Sequence, residues 1–343
     1  MLQRLGHSLL RSQQFGLVAV LLILGTALTF AAGSHPDPLT GRTINNFLNA
    51  HTLIQMATDA SSFAIMGVGA TIVIISGGID LSVGAIYALA GVAMAMLLRE
   101  IGPMAGAPTV VLALVTCVGV AVICGLANGL MVVGLGVHPF IITLGTMWML
   151  RGIAFVMSRA ESVLVPSSLT GVAKASLGLG TALYPVPLLA MVTVALLGSV
   201  FLTRTVRGRH IFAVGGNVEA SRFSGLPISR ITLSVYVISG LCAGVAALLG
   251  AGFYGSATSS DANGYELYVI ASAVVGGASL VGGRGSAVSA MLGALLIVTI
   301  RQAIRTLHFD QNYEWIIIGG AMIAAVVVDQ GGSRLLKRIR GER

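Results

Sequence analysis

Charge is what this sequence has least of. Asp, Glu, Lys and Arg together make up 9% of its 343 residues, against about 25% in soluble globular domains. So few ions cannot cover a water-soluble surface of that size, which excludes a soluble globular fold and points to an integral membrane protein. Aromatics are sparse too, at 6%. The three cysteines, Cys117, Cys124 and Cys242, sit inside apolar runs without paired or metal-type spacing, so they read as small core residues, not as disulfides or ligands. HExxH, GxSxG and metal clusters are missing, and neither Lys174 nor Lys337 belongs to a GxxxxGK[ST] loop. Catalytic residues, a metal site and direct ATP binding therefore have no motif to rest on.

What is present is 56% hydrophobic residues, 45 glycines and a mean hydropathy of +0.94. The apolar runs are continuous and approach the roughly 20 residues that cross a bilayer as a helix, whereas barrel strands alternate over about ten. Small residues let such helices approach closely in lipid. The fold class is therefore an all-α polytopic transmembrane bundle. Ten spans are expected: Phe15–Ala32, Ser61–Ile75, Leu81–Leu98, Thr109–Val133, Pro139–Met157, Ala182–Leu202, Ile231–Phe253, Glu266–Val281, Ser286–Thr306 and Tyr313–Val328. The first resembles a cleaved signal but exceeds the usual 7 to 15 apolar residues. The weakly amphipathic stretch Ile44–Met56 is expected to lie along the outer interface.

The net charge of +8 forms no stripe interleaved with aromatics, which argues against nucleic acid as a partner. It follows topology instead. With the N-terminus inside, thirteen basic residues fall on the inner side and six on the outer, with Arg151 within a span. That bias places both termini and the loop Thr203–Arg230 in the cytoplasm. The chain reads as one transmembrane domain over 1–343, embedded between about 15 and 330, with a coupling loop at 203–230 and a basic tail at 331–343.

Two stretches share a G-G-x-x-L-x-x-G pattern: GGIDLSVG from Gly77 and GGASLVGG from Gly276. Each joins two apolar runs, as in the parallel repeats of transporters. Asp80, with help from Ser82, can cap the N–H groups of Leu81 to Val83, or it can line a solute route at a broken helix. The run VHPFIITLGTMWMLRGIAFVM carries Thr143, Thr146 and Arg151 at roughly helical spacing. That face is a candidate pathway, unless the threonines bond back to their own helix and Arg151 snorkels outward. His138 before Pro139 reads as a helix-entry residue, and Asn128 as a group that bonds a neighbouring helix or a solute. Glu266, Glu314 and Asp329 fall at span ends, where their charge can reach water.

The polar loop Thr203–Arg230 holds one short helix with both ends marked. Asn217 can cap it, Glu219 complements the positive helix start, Gly225 can close it and Pro227 forbids continuation. About two turns of helix are marginal alone, so this one needs something to pack on.

GGIDLSVGAIYALAG, HPFIITLGTMWMLRG, GRHIFAVGGNVEASRFSGLPISR and YELYVIASAVVGGASLVGGRGS, in that order over about residues 45–330, closely resemble the permease subunits of ribose-type sugar ABC importers. The resemblance implies a non-enzymatic permease of the bacterial inner membrane, surrounded by lipid and forming a path for a monosaccharide. It implies a second copy or a sister permease, separate or fused ATPase subunits that bind ATP, and a periplasmic sugar-binding protein. E-A-S-x-x-x-G at Glu219–Gly225 is similar to the cytoplasmic EAA loop that docks on the ATPase. It puts Gly216, Asn217, Glu219, Ala220, Ser221 and Gly225 at the coupling surface, with Arg222 and Phe223 as contacts. Tyr268, Ser272 and the charged stretch Arg301–Asp310 depart from the family's pattern and leave the sugar open. An ion-coupled secondary transporter is the competing reading, but it wants a carboxylate relay, and this chain offers only Asp80 and the span-end acids. An intramembrane enzyme would need a nucleophile, base or metal set.

Overall fold

The computed structural model describes residues 13–36, 41, 43–102, 106–178, 183–321, 323 and 327. The helices are α1 (Gln13–Ala31), α2 (Ala50–Ile75), α3 (Val83–Ile101), α4 (Ala107–Leu135), α5 (Pro139–Ser158), α6 (Ser167–Ala173), α7 (Val186–Arg204), α8 (Val206–Gly216), α9 (Val218–Phe223), α10 (Ile228–Tyr254), α11 (Tyr265–Val275) and α12 (Ala287–Thr306). Two short antiparallel pairs tie connections together: β1 (Ser34–Pro36) with β2 (Thr43–Asn45), and β3 (Val163–Leu164) with β4 (Ser256–Ala257).

Among the described residues, eight helices are long and apolar enough to cross a membrane: α1 to α5, α7, α10 and α12. They match eight of the ten expected spans. Glu266–Val281 does not. Its helix, α11, has 11 residues, about 16 Å at 1.5 Å per residue, which is half of a hydrocarbon core about 30 Å thick. Of Tyr313–Val328, residues 313–321 are helical. Most of the remainder, Arg4, Arg11, Arg42, Asp329 and the 331–343 tail lie outside the described residues.

The stretch Ile44–Met56 is not an element of its own. Asn49 Oδ1 accepts from Thr52 N–H at 2.8 Å and starts α2 at Ala50, so residues 50–56 form its first turns. The polar residues that hid this in the sequence are paired: Gln55 donates to Asp59 Oδ1 at 3.0 Å, and Arg305 lies 3.5 Å from Asp59 Oδ2. Before it, Asn45 and Asn46 donate to the carbonyls of Thr29 and Ala32, which fastens the connection to the end of α1.

α2 is central and almost wholly buried within the protein, whereas α1 lies at the edge. Among the described residues, α4 and α10 make the most extensive helix contact. Gly125 of α4 faces the carbonyl of Tyr236, and Gly240 of α10 faces that of Ala121, where a side chain on either glycine would collide with backbone. With Ala121, Gly129 and Gly244 this forms a seam of small residues four apart. Such a seam lets backbones touch where lipid offers no hydrophobic drive for association. Cys117, Cys124 and Cys242 are free and buried in this core.

Both helix breaks close in the same way. Gly77 N–H donates to Ile74 O at 2.9 Å and Gly78 N–H to Val73 O at 3.0 Å; Gly277 N–H donates to Val274 O at 2.8 Å and Ala278 N–H to Ala273 O at 2.9 Å. Gly77 and Gly277 are left-handed, at φ 86° and 91°, so each turn is a Schellman motif. This geometry equates Gly77 with Gly277, one residue off the register of the sequence pattern.

Candidate functional site

The segment expected to be one helix in a polar loop is two. Thr205 Oγ1 accepts from Gly208 N–H at 3.0 Å and starts α8, whose Gly208, Ile211 and Val214 are buried. That three-residue apolar spacing behind a threonine cap was the available signal for α8. Asn217 then starts α9 by accepting from Ala220 N–H at 2.9 Å. At its far end Gly225 N–H donates to Arg222 O and Leu226 N–H to Ser221 O, with Gly225 at φ 77°. Ser221 is buried beneath the helix. Gly216, Asn217, Glu219, Ala220, Arg222 and Gly225 are exposed, and Phe223 presents 89% of its surface. Arg204, Arg207, Arg209 and Arg230 are exposed around the pair. Gln14 Nε2 donates to Ser286 Oγ at 3.1 Å, so α1 starts at this same end of the bundle.

Deeper in the bundle, the chain between α2 and α3 is irregular over residues 78–82. Asp80, Ser82, Asn128 and Thr143 meet there. Ser82 donates from its N–H and its Oγ to Asp80 Oδ1, at 2.9 and 2.6 Å, and Ser239 Oγ donates to Asp80 Oδ2 at 2.7 Å. Asp80 thus accepts from one of the three expected N–H groups, that of Ser82, which precedes α3 and so is not a helix cap, and its second oxygen is held by α10. Asn128 Nδ2 donates to Ser82 Oγ at 2.7 Å, and Tyr236 OH donates to Ile79 O at 3.3 Å. Tyr236 and Ser239 were missed in the sequence. Their signal is a pair of polar groups three apart within an apolar helix. Asp80, Ser82, Asn128 and Thr143 are at most 2% exposed.

The threonines of α5 turn mainly onto their own helix. Thr143 Oγ1 donates to Pro139 O at 2.9 Å and reaches Ile79 O at 3.4 Å, while Thr146 Oγ1 donates to Thr143 O at 3.2 Å. His138 Nδ1 accepts from Phe140 N–H at 3.3 Å, as a helix-entry residue does. Arg151 does not snorkel. It is 9% exposed, and its guanidinium donates to the carbonyls of Ser259 at 2.8 Å, Ala262 at 3.2 Å and also Asp261. These bonds hold the turns of the 258–264 segment against α5.

The two clusters adjoin along the first turn of α3. A Cβ on Gly84 would stand 2.8 Å from Glu266 Oε2 and 3.6 Å from Arg151 Nη2, so the starts of α3 and α11 converge beside a buried cation. Helix starts of broken spans that meet inside a bundle form the usual ground plan of a transporter binding region. Two buried acceptors there, Asn128 Oδ1 and Glu266 Oε2, have no hydrogen-bond partner. The span-end expectation for Glu314 also fails: its Oε1 accepts from Tyr268 OH at 2.8 Å and lies 2.8 Å from Arg301 Nε. The Arg301 guanidinium sits over the rings of Phe63 and Tyr268, so burial paired this carboxylate instead of releasing it to water.

Residues 52–326 match the family described as branched-chain amino acid transport system / permease component. This chain belongs to that permease family. Among curated proteins the permease is 37% identical over 286 residues to the D-allose transport system permease protein AlsC of Escherichia coli K12, covering 83% of this chain and 85% of the relative. It is 32% identical over 319 residues to the ribose import permease protein RbsC of the same organism, covering 92% and 93%. The fructose import permease protein FrcC of Rhizobium meliloti is 31% identical over 290 residues, covering 83% and 79%. No solved structure matches the permease. It is a ribose-type ABC importer permease, a multi-pass protein of the inner membrane.

Proposed function

We propose that this permease passes a monosaccharide received from a periplasmic binding protein, that α8 and α9 face the cytoplasm, and that α9 docks on a separate ABC ATPase subunit which binds the ATP. Two permeases, identical or sister, complete the transporter. The observation that carries the reading is Phe223, 89% exposed at the tip of α9. α9 is already capped at both ends by its own chain, so that ring contributes nothing to folding it. A large exposed aromatic on a capped projection has the character of an anchor for a partner's pocket.

Asp80, Ser82, Asn128, Thr143 and Arg151 are proposed to flank the solute path, with Glu266 added and Thr146, turned onto its own backbone, left out. The support is the pair of unpartnered acceptors, Asn128 Oδ1 and Glu266 Oε2. Buried polar groups rarely stay unpaired, and a hydroxyl-rich solute passing the start of α3 supplies the missing donors. The relatives named for allose, ribose and fructose carry sugars, which fits that chemistry.

The test is Phe223→Asp. Membrane insertion is expected to be unchanged and co-purification of the co-expressed ATPase lost, while the wild-type complex in liposomes takes up at least one of radiolabelled D-ribose, D-allose and D-fructose. Undiminished co-purification of the ATPase with Phe223→Asp would sink the docking assignment.

A further inference from the structure

Between the docking pair and the helix breaks lies a junction made of bare backbone. We infer that Gly215 is a positioning residue for transport: through it α8 moves both helix breaks together when α9 is displaced. The inference rests on the docking reading of α9 and extends it inward. Ile75 O, one of the free carbonyls at the end of α2, accepts from Gly283 N–H of the second break at 2.8 Å. Gly215 of α8 lies against both. A Cβ there would collide with Ile75 O and stand 2.8 Å from Gly283 N. From the other side, a Cβ on Gly282 would stand 2.6 Å from Gly215 O and 3.2 Å from Gly77 Cα, and one on Gly283 would stand 2.9 Å from Gly216 Cα. Three backbone segments, from α8, the first break and the second, therefore touch with no side chain between them.

That contact differs in kind from ordinary packing. Side chains yield by changing rotamer, whereas backbone pressed on backbone, with one hydrogen bond across it, passes displacement on. α8 is braced on its other face as well: Gly208 is pressed onto the Phe201 and Leu202 carbonyls of α7, and Ile211 and Val214 are buried. A pull on α9 is therefore not absorbed within α8. Beyond the junction, the first break runs five residues to the start of α3, beside Arg151 and Glu266, and the second opens α12.

The experiment uses the full permease assembled with its ATPase. Hydrogen–deuterium exchange is compared with and without ATP plus orthovanadate, and uptake of D-ribose, D-allose and D-fructose is measured in liposomes. In the wild type, trapping is expected to change exchange at 76–84 and at 276–286 together. Gly215→Ala, which improves helix propensity but separates the backbones, is expected to leave an assembled complex with uptake reduced at least tenfold and the exchange response lost at both segments. Gly282→Ala is expected to act alike. Gly119→Ala in α4, where a Cβ meets nothing within 4 Å, is expected to match the wild type. The inference is overturned if Gly215→Ala keeps its uptake or its exchange response, or if it fails to assemble, which would make Gly215 a packing glycine only. The docking reading fails separately, if trapping or ATPase binding leaves exchange at 218–226 unchanged in the wild type.

Discussion

The two helix breaks share a closing turn and differ in what fills them. After Gly77 the chain carries Asp80 and Ser82 into the bundle, where side chains of α4 and α10 hold them. After Gly277 the chain folds back on itself: Ser279 N–H donates to Arg284 O at 3.1 Å, Gly282 N–H to Ser279 O at 2.8 Å, and Gly283 reaches Ile75. The first break is satisfied by side chains and points inward to the polar cluster. The second is satisfied by backbone and points outward to α8. One turn geometry therefore serves two ends of a mechanism, and the division lies in a few residues after each turn.

The largest effect that would sharpen this contrast is expected from Asp80→Leu. It strips acceptors from Ser82 N–H, Ser82 Oγ and Ser239 Oγ in a site closed to water, at about 1–3 kcal/mol per orphaned group. A loss of about 3 kcal/mol or more in mixed-micelle unfolding is expected, with Asp80→Asn recovering most of it. Equal unfolding of Asp80→Leu and wild type would mean that side chains do not hold the first break. Next comes Ser239→Ala, which leaves Asp80 Oδ2 without a donor. About 1–2 kcal/mol is expected in the same assay. The smallest change is Gly77→Ala. The site has open space for a Cβ, so the cost is the left-handed backbone alone, about 1 kcal/mol, and Gly77→Asn should cost less. A Gly77→Ala loss above about 3 kcal/mol would show that the first break, too, depends on a close backbone junction.

Much of the site was legible because caps and breaks are local chemistry. Asn217 and Gly225 bound α9 through bonds spanning three to five residues, and Asp80 before an apolar run announced a helix start. What stayed hidden was long-range. Arg151 finds its partners, backbone carbonyls, more than a hundred residues away. Glu314 looked like a span-end acid until Tyr268 and Arg301 enclosed it. Gly215 and Gly216 are neighbours of one residue type, yet a Cβ on the first collides with two other segments, while one on the second meets nothing within 4 Å.

The sequence by itself determined that this chain lives in lipid, that it is a helical bundle, and where its short capped helix lies. Those follow from hydropathy summed over about twenty residues and from hydrogen bonds closed within a turn. Only the tertiary structure decided that α11 is half a span, that α8 exists as a helix, that the starts of α3 and α11 meet beside Arg151, and that three backbones touch at Gly215. In a bundle where nearly every run is apolar, hydrophobicity ranks no neighbour above another. The partners are chosen by the few polar groups and bare glycines whose fit depends on segments far apart in the chain.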